Sequence, residues 1–125
     1  MSNRDYIQVK NYETSAAVGR YRIVKFDAAD GVVIQAAAAT DALIGVSTDI
    51  ATAVGRRCDV VHSGIAPVIY GGTVTRGALL TSDADGKAIA TTTAGNRTIG
   101  IALVSGVADD IGSVLLSPGA IGAGV

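Results

Sequence analysis

Short runs of β-branched and aromatic residues, each closed by a turn signal, set the pattern of this chain. Tyr21-Arg22-Ile23-Val24-Lys25-Phe26 is rich in strand formers and is followed by Asp27-Ala28-Ala29-Asp30-Gly31. Asp and Gly there supply the local hydrogen bonds and the positive φ that a turn requires. Val32-Val33-Ile34-Gln35 is the expected returning strand, and Leu43-Ile44-Gly45-Val46-Ser47 another. Arg57-Cys58-Asp59-Val60-Val61-His62 alternates apolar and polar positions and runs into Ser63-Gly64, read as a turn. Ala66-Pro67-Val68-Ile69-Tyr70 is a further strand ending at Gly71-Gly72, and Pro67 argues for an edge or a strand start. The one helical signal is Thr48 to Gly55, long enough for one or two turns with Thr48 or Asp49 as N-cap.

The second half repeats this grammar. Residues 22–46 align without a gap on 77–101 at an offset of 55. Asp30-Gly31 falls on Asp85-Gly86, Ile34 on Ile89, Ile44-Gly45 on Ile99-Gly100, Val24 on Leu79, and Val60-Val61 on Leu115-Leu116. Two like hairpin units, each with one apolar face, bury those faces against each other. The expected fold is mainly β, a small barrel or sandwich, with turn signals at the spacing such folds show. Residues 1–18 differ: they are polar, carry mixed charge and have no turn partner close by, so they predict an extended N-terminal arm. The domain proper spans 19–116, and the Gly- and Ala-rich 117–125 predicts a flexible tail.

Composition narrows the function. Hydrophobic residues make up 49% and charged residues 17% of the 125, with no Trp, one Phe and one Met. Average domains carry about 25% charged residues. A core of small β-branched side chains under a weakly charged surface fits a protein that completes its burial against other polypeptides. A net charge of −1 gives no footprint for nucleic acid. No apolar run approaches the roughly 18 residues of a membrane helix, and residues 1–13 lack the apolar core of a signal peptide, so synthesis in the cytoplasm is expected.

Chemistry is sparse. Cys58, the only cysteine, is expected to be a buried small hydrophobe. His62 is the only histidine, and in a strand it stands about 13 Å from Cys58, too far for a thiolate–imidazole pair. One Cys and one His exclude a zinc site. Asp83-Ala84-Asp85-Gly86 lacks the Glu of a calcium loop, because position 92 is Thr. Gly86-Lys87 lacks the earlier Gly and the hydroxyl of a phosphate loop. The expectation is a protein with no active site and no cofactor.

A resemblance sharpens this. A Gly-led strand (Gly19 to Phe26) is followed by a turn, an Ala/Thr run and Ile44-Gly45-Val46. Gly77-Ala78-Leu79-Leu80 then leads to Asp83 to Lys87, Thr91 to Asn96, Ile99-Gly100-Ile101-Ala102 and Val114-Leu115-Leu116. Over residues 19–116 this pattern resembles the small bacteriophage capsid cement, or decoration, proteins. The resemblance implies a compact β-tulip-like barrel that sits as a homotrimer on the capsid exterior of the virion and clamps neighbouring major capsid protein subunits. The candidate clamp is the arm, with Tyr6, Ile7, Val9 and Tyr12 as apolar contacts and Arg4 and Lys10 as charged ones. The rival readings are a phage tail or fibre module and, further off, a carbohydrate-binding β-sandwich, for which four tyrosines and no Trp are a poor platform.

Overall fold

The computed structural model describes residues 5–122. Its nine strands are β1 (Asp5–Thr14), β2 (Ile23–Phe26), β3 (Val32–Gln35), β4 (Leu43–Ser47), β5 (Arg57–Ile69), β6 (Leu79–Ser82), β7 (Ala88–Ala90), β8 (Arg97–Ala102) and β9 (Ile111–Ala120). The molecule is all-β, as the pattern of short alternating runs predicts. Both Asp-Gly turns hold their glycine at positive φ, 76° at Gly31 and 72° at Gly86. That is the region only glycine enters without strain.

All nine strands belong to one hydrogen-bonded sheet, in the order β1-β3-β2-β4-β5-β9-β8-β6-β7, with β1 also paired to β5. The sheet therefore closes on itself twice. Barrel 1 consists of β1, β3, β2, β4 and the first part of β5, sealed where Glu13 and Thr14 run parallel to Val32 and Val33. Barrel 2 consists of the second part of β5 with β9, β8, β6 and β7, sealed where Tyr70 bridges Ala88 in parallel. Closure removes most of the free edges that an open sheet of short strands would present.

The ladders confirm the internal repeat and correct its register. Ile23 pairs with Val46 as Leu79 pairs with Ile101, and Val46 pairs with Val61 as Ile101 pairs with Leu115. β3 and β4 thus map onto β7 and β8 at an offset of 55. β2 maps onto β6 at 56 and β5 onto β9 at 54, so Val24 matches Leu80, not Leu79, and Val61 matches Leu115, not Leu116. The loops absorb the single-residue differences. Outside the strands the match continues, because Val18 bridges Thr52 as Val74 bridges Gly106.

Three local expectations give way to tertiary pairing. The stretch Thr48–Gly55 forms no helix; Thr52 instead exchanges backbone hydrogen bonds with Val18 at 2.7 and 2.9 Å. A one- or two-turn helix carries its nucleation cost without enough bonds to offset it. Ser63-Gly64 is no turn: the two short strands around it fuse into the 13-residue β5. Residues 117–120, expected as loose tail, end β9, with Thr98 paired to Gly119 and Arg97 to Ala120. Pro67 sits inside β5, which is neither an edge strand nor one that starts there. Ile69 donates its N–H to Tyr21, away from β9. Pro67, two residues earlier, aims its nitrogen to the same side, so it costs no rung of the β5–β9 ladder.

Two apolar clusters follow from the two closures. Tyr12, Val18, Val24, Val33, Cys58 and Val60 fill barrel 1. The larger cluster fills barrel 2 with residues such as Val68, Tyr70, Val74, Leu80, Ile99 and Val114. It also takes in Ile23, Val46 and Val61 from the outside of barrel 1. β2 and β5 are therefore buried on both faces, Ile23 toward one cluster and Val24 toward the other. That is why these strands read as unbroken apolar pairs.

Candidate functional site

β1 is the strand expected to meet a partner, and the structure lays it along the chain's own β5, from Asp5 opposite Ile65 to Glu13 opposite Arg57. The register slips between Tyr6 and Val9, leaving Ile7 as an unpaired bulge residue. Gly64 makes this possible. It has φ of 100°, and a Cβ there would meet the Asp5 carbonyl and the Ile7 nitrogen. Its partner strand thus approaches where no side chain fits.

The candidate contacts separate into three groups. Ile7 is 80% exposed and Val9 42% exposed, and Lys10 is exposed beside them. Tyr6 is half-buried and packs on the larger cluster. Tyr12 is buried inside barrel 1, where its hydroxyl hydrogen-bonds His62 Nε2 at 2.7 Å and its ring meets Phe26 edge-on at 5.8 Å. Tyr12 is a core residue, and its place among outward contacts is corrected accordingly. Arg4 lies outside the described residues. What Tyr12 does for the surface is indirect: Lys10 Nζ lies 5.5 Å from the centre of its ring.

Phe26 joins this face. It is 48% exposed, and together with Lys10, Tyr12 and the turn 27–31 it lines a shallow concavity. Sequence reasoning passed over Phe26 because a lone aromatic at a strand end reads as core. Its position just before the Asp-rich turn, where chains emerge from barrels, was the available signal. Polar bonds brace the neighbourhood: Asn11 donates to Asp59 at 2.9 Å, and Arg57 Nε donates to Asn11.

The reactive side chains are engaged structurally. His62 bonds Tyr12 through one ring nitrogen and the Ile44 carbonyl, at 3.0 Å, through the other. Cys58 is buried, and burial pushes its thiol up, away from the thiolate a nucleophile needs. Among the described residues no group of three His, Cys, Asp or Glu side chains is placed to hold a metal ion. The arrangement offers apolar and cationic contact, braced from beneath.

The family model for phage cement proteins matches residues 8–117. The chain belongs to the phage cement protein family. Cement proteins are structural components of phage particles that stabilise the capsid, and this chain takes that general role from its family. Among solved structures it is similar to the N base of the head fiber gp8.5 in bacteriophage phi29, with a TM-score of 0.73 and 18% identity. The match covers 91% of this chain and 97% of that one. At that identity the likeness speaks for the fold alone. No curated protein matches the chain. Within the cement family the match starts at Gln8, so β1 from that residue onward belongs to the shared domain.

Proposed function

We propose that this cement-family protein binds the outside of an assembled phage capsid and bridges adjacent major capsid protein subunits, working as a homotrimer. The family match over residues 8–117 carries the reading. The exposed side chains of β1, Ile7, Val9 and Lys10, supply contacts of the required kind. A ligand that binds only the assembled shell stabilises it by mass action, because its binding free energy is lost when neighbouring subunits part. Rigidity serves this role. A clamp that deforms before the shell parts resists nothing, and a braced strand between closed barrels deforms little.

Point substitutions test the reading better than removal of the arm, because deleting residues 1–18 takes away the strand that closes barrel 1. Ile7→Asp combined with Lys10→Glu is expected to weaken co-sedimentation with capsids at least about tenfold, roughly 1.4 kcal/mol, while the thermal midpoint stays put. Undiminished binding would refute the assignment of these contacts, and wild-type protein that ignores capsids would refute the function. A second reading, the base of a head-attached fibre, is favoured by the likeness to the phi29 head fiber N base. Electron microscopy of decorated particles separates them: bare studs support cement, studs bearing shafts support a fibre base.

A further inference from the structure

The two barrels carry the same row of aliphatic residues on their outer faces. On barrel 1, Ile23, Val46, Val61 and Val9 run across β2, β4, β5 and β1 as direct cross-strand partners. On barrel 2, Leu79, Ile101, Leu115 and Ile65 run across β6, β8, β9 and β5 in the same register. The first row is covered over its three members nearest barrel 2: Ile23, Val46 and Val61 are fully buried in the cluster shared with it, while Val9 at the far end is 42% exposed. The second is open over its matching three members: Leu79, Ile101 and Leu115 are 41%, 37% and 43% exposed, with Ile65 half-buried. Ile111, four residues before Leu115 on the same face of β9, extends it at 45%. In stacked repeats the apolar face of one unit is covered by the next, and the last unit needs a polar outer face to stand alone. Barrel 2 presents an aliphatic face that no other part of the described chain covers.

We infer that this open row is covered by barrel 1 of a second copy of the chain. The covered row shows what such a face accepts. A barrel of this same fold sits against it, with the turn after β6 alongside: Gly86 accepts the Ile23 N–H and Asp85 accepts Arg22 Nη1, both at 2.8 Å. The counterpart of that turn is 27–31, after β2, which is exposed with Phe26 at its base. A second copy thus presents to the open row the same structural feature that already seats on the covered one. The contact is head-to-tail, so it can repeat from copy to copy and close into a ring. The inference rests on the self-assembly proposed above and names its two surfaces, the open row of barrel 2 and the 27–31 turn of barrel 1, the latter flanking Lys10 of the strand assigned to the capsid.

Sedimentation velocity and cross-linking test it on the full chain. Wild type is expected to gain mass as concentration rises. The Ile101→Glu/Leu115→Glu chain stays monomeric with an unchanged thermal midpoint, and the Ile7→Asp chain still associates. In a Cys58→Ala background, chains carrying Ile101→Cys and chains carrying Asp30→Cys should be joined to each other by a short bismaleimide. A wild type that remains monomeric, a double variant that associates like wild type, or Ile101→Cys chains joined only to themselves would each overturn the inference. Failure of the capsid reading looks different: wild type then does not bind capsids, whatever its association. A double variant that self-associates normally but loses capsid binding would assign the row to the shell and overturn the inference.

Discussion

Barrels 1 and 2 share a ladder but fill it with different side chains. Where barrel 1 places Thr14, Thr52 and Cys58 toward its interior, the matched positions of barrel 2 hold Tyr70, Gly106 and Gly112. A Cβ at Gly112 would fall within the Tyr70 ring, and one at Gly106 would come within 2.9 Å of it. One large side chain and two absent ones thus replace three medium ones. Strand number and stagger fix the interior of a small barrel, so volume is conserved over the set of positions rather than at each. The polar atoms follow the same rule. Thr14 donates its hydroxyl to the Arg56 carbonyl at 2.8 Å, and Tyr70 donates its own to the Val104 carbonyl at 2.6 Å. Each satisfies a loop carbonyl at the end of its barrel.

The largest effect is expected from breaking this exchange. Tyr70→Thr leaves barrel 2 with two glycines facing a void and should cost about 3–5 kcal/mol, read as a shift in the urea midpoint. Adding Gly106→Thr and Gly112→Cys copies the packing of barrel 1 and should restore most of that loss, a non-additivity that independent sites do not show. Without such recovery, the two interiors are not interchangeable solutions.

A smaller effect is expected where the barrels join. Gly64→Ala forces a Cβ into the crossing of β1 over β5 and should cost about 2 kcal/mol. Hydrogen exchange should then rise first along β1 and leave β9 unchanged. Pro118 occupies the matched position of β9, and it is exposed. There the ring removes an N–H that a further strand would need.

The smallest effect separates the loops between the third and fourth strands of each barrel. In barrel 1, Asp41 accepts N–H bonds from Ala37 and Ala38 at 2.9 and 3.0 Å and pairs with Lys25 at 3.0 Å. Burial alone would push its carboxyl up, but these partners outweigh that and hold it below the usual carboxylate range. Its matched residue in barrel 2 is the neutral Asn96, which donates to Thr91 at 2.8 Å. A depressed folded-state value means the stabilisation is present above the unfolded-state value and is lost as pH falls through the folded one. Asp41→Asn should therefore cost about 0.5 kcal/mol near neutral pH. The difference from wild type should vanish in acid, measured as thermal midpoints at both pH values.

Much of the fold was legible because its signals are local. Val32–Gln35 and Leu43–Ser47 are strands with the bounds their composition gives, and the Asp-Gly turns have the φ that glycine predicts. The repeat was visible as an offset, though only ladders show that loops shift it by one residue. The contact surface was less legible. Ile7 and Val9 are exposed on one face of β1, whereas Lys10 and Tyr12 share the other, Lys10 exposed and Tyr12 buried opposite Cys58.

The sequence by itself determined the strand content, the turns and the twofold repeat. Periodicity and turn chemistry act over a few residues, so they survive without a partner. The tertiary structure decided that β5 serves both barrels, that β1 closes the first, and which of two equally aliphatic rows is left uncovered. Those depend on pairings tens of residues apart. No local pattern distinguishes Ile23-Val46-Val61 from Leu79-Ile101-Leu115 until the chain has placed one barrel against the other.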